Sequence, residues 1–261
     1  MTVLDDIITG VREDIADRRR TRPLADVRRA AADAAPVRPF PPESDFGLIC
    51  EVKRSSPSKG PLARIPDPAA LASAYAQGGA AAISVLTERR RFGGSLADFD
   101  AVRAAVDVPL LRKDFMVDEY QFHEARAHGA DIVLLIVAAL DDAQLRDHMS
   151  LAADLGMAAL VETHTVEELA RATEAGAALV GVNTRNLKDL SVDPARFAQL
   201  APHAPDGAVL VAESGVGDAD TVADYARAGA QLCLVGEALV VGGDPRAAVA
   251  AFTEAGRAAR Q

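Results

Sequence analysis

From residue 47 onward the chain repeats one pattern eight times: a short apolar run, then an Ala-rich stretch of helical character. The runs cover residues 48–53, 81–87, 109–113, 132–137, 158–163, 179–183, 208–214 and 231–236. They are continuously apolar rather than alternating, which is the mark of strands buried on both faces of a parallel sheet. Between them, residues 68–77, 120–128, 142–155, 166–175 and 218–228 place apolar side chains at helical spacing. Several of these stretches end in Gly-Ala (Gly79-Ala80, Gly129-Ala130, Gly176-Ala177, Gly229-Ala230), a capping glycine followed at once by the next strand. Eight such units in about 215 residues predict an α/β fold, a closed (β/α)8 TIM barrel. An open doubly wound sheet would need G-x-G-x-x-G after its first strand. Ser55-Ser56-Pro57-Ser58 stands there instead, and Gly215-Val216-Gly217 after the seventh run is a partial match only.

An extra segment precedes the repeats. Leu4, Ile7, Ile8, Val11 and Ile15 recur at helical spacing, Thr2 with Asp5 resembles a capping box, and Arg18-Arg19-Arg20 suits the negative end of a helix. The arginine run is expected to be a solvated helix end. Residues 23–46 contain Pro23, Pro36, Pro39, Pro41 and Pro42, so a connector is expected there, with a short helix near 24–34. The expected organisation is residues 1–46 packing on a barrel of residues 47–261, one domain overall.

The formal charge of −10 argues against nucleic acid or an anionic membrane as the main partner. No apolar run approaches the roughly 20 residues of a membrane span, and the N-terminus has no signal-like apolar region. The two cysteines, Cys50 and Cys233, lie inside apolar runs and read as core residues, which fits a reducing cytoplasm. His123, His128, His148, His164 and His203 show no ligand spacing, so no metal site is expected. The expected solution state is a monomer or weak homodimer.

In such a barrel the chemistry lies at the C-terminal strand ends. There the sequence offers Glu51 and Lys53, Lys113, Glu162, Asn183 and Arg185, Glu213 and Ser214, and Gly236. Glu51 and Lys53 are two apart and so share a face of their strand. Of 28 cationic side chains only Lys53, Lys59, Lys113 and Lys188 are lysines, and lysine, unlike arginine, can exchange a proton near neutral pH. Carboxylates and lysines converging on one mouth point to acid–base chemistry; an ion-pair network closing the barrel is the bland alternative. Small-residue turns at Ser214-Gly215 and Gly236-Glu237 suggest a phosphate site, with Lys53 and Arg185 as countercharge. Pro57, Phe92, Phe115, Leu134, Ile136, Leu187 and Leu190 fall near the same rim and would suit a flat aromatic ligand.

Taken in order, the motifs Glu-x-Lys-Arg-x-Ser-Pro-Ser-x-Gly (51–60), Leu-Thr-Glu with Phe-Gly-Gly-Ser (86–95), Leu-Arg-Lys-Asp-Phe (111–115), Leu-Val-Glu (160–162), Gly-Val-Asn-x-Arg-Asn-Leu (181–187), Ala-Glu-Ser-Gly (212–215) and Val-Gly-Glu-Ala-Leu (235–239) resemble the indole-3-glycerol phosphate synthase family, in its monofunctional form. The resemblance covers essentially the whole chain. It implies cofactor-free ring closure, decarboxylation and dehydration of an anionic phosphorylated substrate. It implies Lys113 as general acid of ring closure, with Glu162 as candidate base and Lys53 as candidate second acid, leaves open which lysine serves which step, and has Glu51, Asn183 and Glu213 orienting them. Arg185, Ser214, Gly215, Gly236 and Glu237 would hold phosphate. Ser56, Pro57, Phe92, Phe115, Leu134, Ile136, Leu187 and Leu190 would contact the rest of the substrate. Two alternatives are another phosphate-binding barrel, such as a sugar-phosphate isomerase, and a non-catalytic binding barrel.

Overall fold

The computed structural model describes residues 3–56, 60–61, 65–186 and 191–261, the side chains of Ser56, Gly60 and Pro61 excepted. Eight parallel strands close into a barrel: β1 (Gly47–Val52), β2 (Ala82–Leu86), β3 (Leu110–Lys113), β4 (Ile132–Ile136), β5 (Ala158–Thr163), β6 (Leu179–Asn183), β7 (Val209–Glu213) and β8 (Leu232–Val235). Each pairs with its sequence neighbours, and β8 returns to β1 with Leu48 opposite Cys233. Just past β1, Ser55–Ser56 and Gly60–Pro61 pair as a short antiparallel ribbon.

The helices are α1 (Val3–Thr21), α2 (Leu24–Ala32), α3 (Pro68–Gln77), α4 (Leu96–Ala105), α5 (Glu119–Ala127), α6 (Asp142–Asp154), α7 (Val166–Glu174), α8 (Ala195–Leu200), α9 (Ala219–Arg227), α10 (Glu237–Val241) and α11 (Pro245–Ala259). Their starts follow from local chemistry. The side chains of Asp67, Ser95, Asp118, Asp141, Thr165, Asp218 and Asp244 each accept an N–H in the first turn of the helix that follows, worth ~1 kcal/mol apiece. Gly79, Gly129, Gly176 and Gly229 take positive φ, as the Gly-Ala junctions predict.

Side-chain parity along the strands builds two cores and then the site. One set faces outward to the helices: Leu48, Cys50 and Val52 on β1, Val133 and Leu135 on β4, Val180 and Val182 on β6. The other fills the barrel: Ile49, Leu111, Leu134, Leu160, Val211 and Leu234. Two residues further along the inward set the apolar layer gives way to charge, at Glu51, Lys113, Glu162 and Glu213.

The N-terminal segment is held by both apolar and ionic contacts. Ile7, Val11, Ile15 and Val27 cluster with Tyr120. Arg18 reaches Glu124 at 2.8 Å, and Arg19 reaches Asp118 at 2.6 Å while lying 5.5 Å over the Tyr120 ring. The expectation of a solvated arginine run is therefore corrected: only Arg20 is mostly exposed, and Arg18 and Arg19 dock α1 onto Glu124 of α5 and onto Asp118 at its N-cap. The capping box expected at Thr2 lies outside the described residues. No helix among the described residues is long and apolar enough to cross a membrane.

Candidate active site

A cleft of about 220 Å3 opens at the C-terminal ends of the strands. Glu51, Lys53, Phe92, Lys113, Phe115, Leu134, Ile136, Glu162, Asn183, Arg185, Glu213, Ser214, Gly215, Gly236 and Glu237 all line it, joined by Val3, Leu4 and Ile7 from α1. Of the residues expected here, Pro57, Leu187 and Leu190 lie outside the described residues, as does the side chain of Ser56.

Lys113 ends β3 and points inward between two carboxylates. Its Nζ is 3.2 Å from Glu213 Oε2 on β7 and 3.4 Å from Glu162 Oε2 on β5. Lys53 forms a close ion pair with Glu51, the i, i+2 relation that a strand imposes. Asn183 Nδ2 donates to Glu162 Oε1 at 2.9 Å, while its Oδ1 accepts from Ser214 Oγ at 2.8 Å and from the Arg185 N–H at 3.0 Å. One carboxamide thereby fixes both a carboxylate and the turn after β7. That turn has Ser214 at φ 67° and Gly215 at φ 79°, a left-handed pair that Tyr225 supports by donating from Oη to the Ser214 carbonyl at 3.1 Å.

Burial sets the electrostatics. Taken alone, it would depress the Lys113 ammonium. Glu213, Glu162 and Glu51 outweigh it and hold the lysine above its ordinary range. Burial also opposes ionisation of Glu162, but Lys113, His164 and Asn183 overcome that and hold it well below the usual carboxylate range. In Glu51 the same burial is offset by Lys53 and Lys113, and the carboxyl is lowered. Glu213 goes the other way: burial and the neighbouring Glu162 charge push it up to about 8. The two carboxylates are therefore unequal: Glu162 is biased toward its ionised form, and Glu213, facing that charge, toward its protonated form.

The apolar wall is built on the other side of the mouth. Phe92 and Phe115 stand with ring centroids 6.1 Å apart, tilted by 40°. Phe92 is placed by Glu88, whose buried carboxylate accepts the N–H groups of Arg90, Arg91 and Phe92 at 2.7–2.9 Å. Phe115 is placed by Asp114, which accepts its N–H at 2.9 Å. Asp114 is held by Arg112 at 3.0 Å, which in turn pairs with Glu124 at 2.9 Å. A continuous chain of ions thus runs from Arg18 on α1 to the residue after Lys113.

Sequence reasoning missed three of these supports. Glu88 and Arg112 stood only as members of the Leu-Thr-Glu and Leu-Arg-Lys-Asp-Phe motifs, with no role of their own. His164 was passed over because no ligand spacing surrounds it, although Glu162-Thr163-His164 carries the same i, i+2 signal that picked out Glu51 and Lys53. Its Nε2 lies 3.2 Å from Glu162 Oε1, an ionic contact rather than a well-aligned hydrogen bond, and its Nδ1 lies 3.1 Å from Glu168 Oε2.

A closed parallel barrel whose C-terminal strand ends carry a lysine between carboxylates, with aromatic rings and a small-residue turn in the same cleft, defines a (β/α)8 barrel with its candidate active site in the usual place. A family model described as indole-3-glycerol phosphate synthase matches residues 4–252. Among curated relatives, an indole-3-glycerol phosphate synthase of Arthrobacter sp. (strain FB24) is 60% identical over 264 residues, covering 98% of this chain and 97% of the relative. Another, of Nocardioides sp. (strain ATCC BAA-499 / JS614), is 60% identical over 256 residues, covering 97% and 98%. The chain belongs to the indole-3-glycerol phosphate synthase family. Among solved structures, a 3-hexulose-6-phosphate synthase aligns with a TM-score of 0.66 at 21% identity, over 80% of this chain and 99% of the other, a likeness of fold alone.

Proposed function

We propose that the chain converts 1-(2-carboxyphenylamino)-1-deoxyribulose 5-phosphate into indole-3-glycerol phosphate, CO2 and water, with Lys113 as the first acid. The observation that carries this reading is Lys113 held charged between Glu213 and Glu162, in a cleft with rings on one side and a small-residue turn on the other. The anthranilate ring lies against Phe92, Phe115, Leu134 and Ile136. The phosphate lies toward Ser214, Gly215, Gly236 and Glu237 backbone groups, with Arg185 and Lys53 as cations.

Binding the two ends brings the carboxylate-bearing ring carbon against the ribulose carbonyl. As that bond forms, the Lys113 ammonium gives its proton to the carbonyl oxygen. The ring becomes iminium-like and takes up the electron pair of the breaking C–CO2 bond, so decarboxylation needs no external electron sink. Loss of the hydroxyl as water needs a second acid, assigned to Lys53, and the ionised Glu162 takes a proton from the adjacent ring methylene carbon, so that the carbon–carbon double bond of the indole forms and its N–H is kept. Glu51 and Asn183 keep Lys53 and Glu162 in place.

The test is turnover of this substrate with EDTA present, followed by indole fluorescence in a chain that has no Trp. The wild-type protein should produce emission, and Lys113→Ala should lose ~10^3-fold or more in kcat with KM little changed. Near-normal turnover in that variant would remove Lys113 as the acid.

A further inference from the structure

Two carboxylates sharing one lysine need a reason to be unequal. Glu162 and Glu213 approach Lys113 at similar distances, 3.4 and 3.2 Å, but their other oxygens differ. Glu213 Oε1 is buried with no hydrogen-bond partner, while Glu162 Oε1 faces both Asn183 and His164.

His164 is itself clamped. Its side chain is 5% exposed. Glu168 Oε2 accepts its backbone N–H at 2.7 Å and faces ring Nδ1 at 3.1 Å, and Arg196 Nη2 donates to its carbonyl at 2.7 Å. Glu168 is the third residue of α7, and its own N–H donates to the N-cap hydroxyl of Thr165 at 3.2 Å, so the helix start fixes its carboxylate. Each ring nitrogen faces a carboxylate oxygen, an arrangement satisfied when both carry protons.

We propose that His164, locked by Glu168 at the head of α7, is a positioning residue that holds the Glu162 carboxylate toward Asn183 and makes Glu162, rather than Glu213, the proton acceptor of the pair. The proposal rests on Glu162 being the base. The charged groups acting on the pair are Lys113 from β3, Glu213 from β7 and Glu168 from α7, with Glu51 on β1 acting on Glu162 across the mouth, while Arg196 from α8 reaches only the His164 carbonyl. His164 is the cation that contacts Glu162 without also contacting Glu213. The direction of the His164 shift agrees: burial would lower it, yet Glu162 and Glu168 raise it to about 9.

His164→Gln keeps a donor near Glu162 but removes the charge. Without that charge the bias toward an ionised Glu162 over Glu213 weakens, and part of the enzyme carries a proton on the base. We expect kcat to fall ~10-fold at about pH 6.5, with KM within about twofold. The ratio to wild type should climb back as pH passes about 8, where Glu213 gives up its proton. Glu168→Gln should leave the ratio near one below about pH 6.5, where the ring stays charged unaided, and lower it near pH 7.5. That second variant carries the test if the first does not fold. A pH-independent ratio in folded protein, or a raised KM at unchanged kcat, would overturn the proposal. Glu162→Gln separates the two levels. If it turns over normally, the base assignment itself falls; if it is inactive while His164→Gln shows a flat ratio, only the role of His164 falls.

Discussion

Gly181 on β6 is the sharpest test of how the site is spaced. A Cβ placed there would lie 2.1 Å from Glu213 Oε1 and 3.2 Å from its Cδ. A relaxed carbon–oxygen contact is about 3.3 Å, so the carboxylate must retreat by about 1.2 Å. The atom in question ends a flexible side chain, but Glu213 is 1% exposed and tied to Lys113, so it can retreat only toward the cleft and at the expense of that contact. The backbone raises no objection, since Gly181 has no positive φ and its strand tolerates alanine. The strain should cost ~1–2 kcal/mol of stability. A displacement of about 1 Å beside the reacting groups should cost ~100-fold in kcat. Steady-state indole fluorescence of Gly181→Ala, beside its thermal melt, measures both. Shortening the acid, in Gly181→Ala/Glu213→Asp, should recover part of the rate relative to Gly181→Ala alone. A kcat within about twofold of wild type in the single variant would show that the position of Glu213 does not matter to the chemistry, and the spacing argument would fail.

Arg185→Ala should raise KM with little change in kcat, through loss of phosphate contact; a fall in kcat at constant KM would move Arg185 into the chemistry. Arg112→Met leaves Asp114 and Glu124 buried with one partner fewer, and should lower stability by ~3–5 kcal/mol and Tm by roughly 10 °C in calorimetry. An unchanged Tm would mean the ion chain contributes nothing. Stability should also decline on the alkaline side. His164 is raised from 6.5 to about 9, so its contribution is complete below about 6.5 and lost as pH rises to 9; Glu213, raised from 4.5 to about 8, loses its contribution earlier, as pH rises from about 4.5 to about 8. Glu162, depressed below 4.5, contributes above that value and loses its contribution as pH falls. Urea midpoints at about pH 6 and about pH 9 check this, and His164→Gln should flatten the alkaline decline.

The barrel was legible because its strands are buried on both faces and its helices end in Gly-Ala, so each boundary carries its own chemistry. Lys113, Glu162 and Glu213 were legible for a related reason: an inward-facing position that turns from apolar to charged marks the end of a strand. What escaped was the layer behind them. Arg112 faces outward from β3 among helices, where a buried arginine is paid for by adjacent Asp114 together with Thr87, Gln121 and Glu124 arriving from other elements. Glu88 works through backbone N–H groups, which carry no residue signature. Arg18 and Arg19 looked solvent-facing because nothing within α1 reveals that α5 offers Glu124 and Asp118.

The ionic docking of α1 has a consequence for how the protein is made. Arg18 and Glu124 are 106 residues apart, and Tyr120 donates to the Arg22 carbonyl across 98. A ribosome adding about 5–20 residues each second needs roughly 5–20 s to deliver those partners after α1 has emerged. During that interval the first helix synthesised has nowhere to place Ile7, Val11 and Ile15, the stripe it later buries. Its acidic first turn and arginine-rich last turn keep the waiting helix in water, and the same arginines become its anchors once α5 is complete.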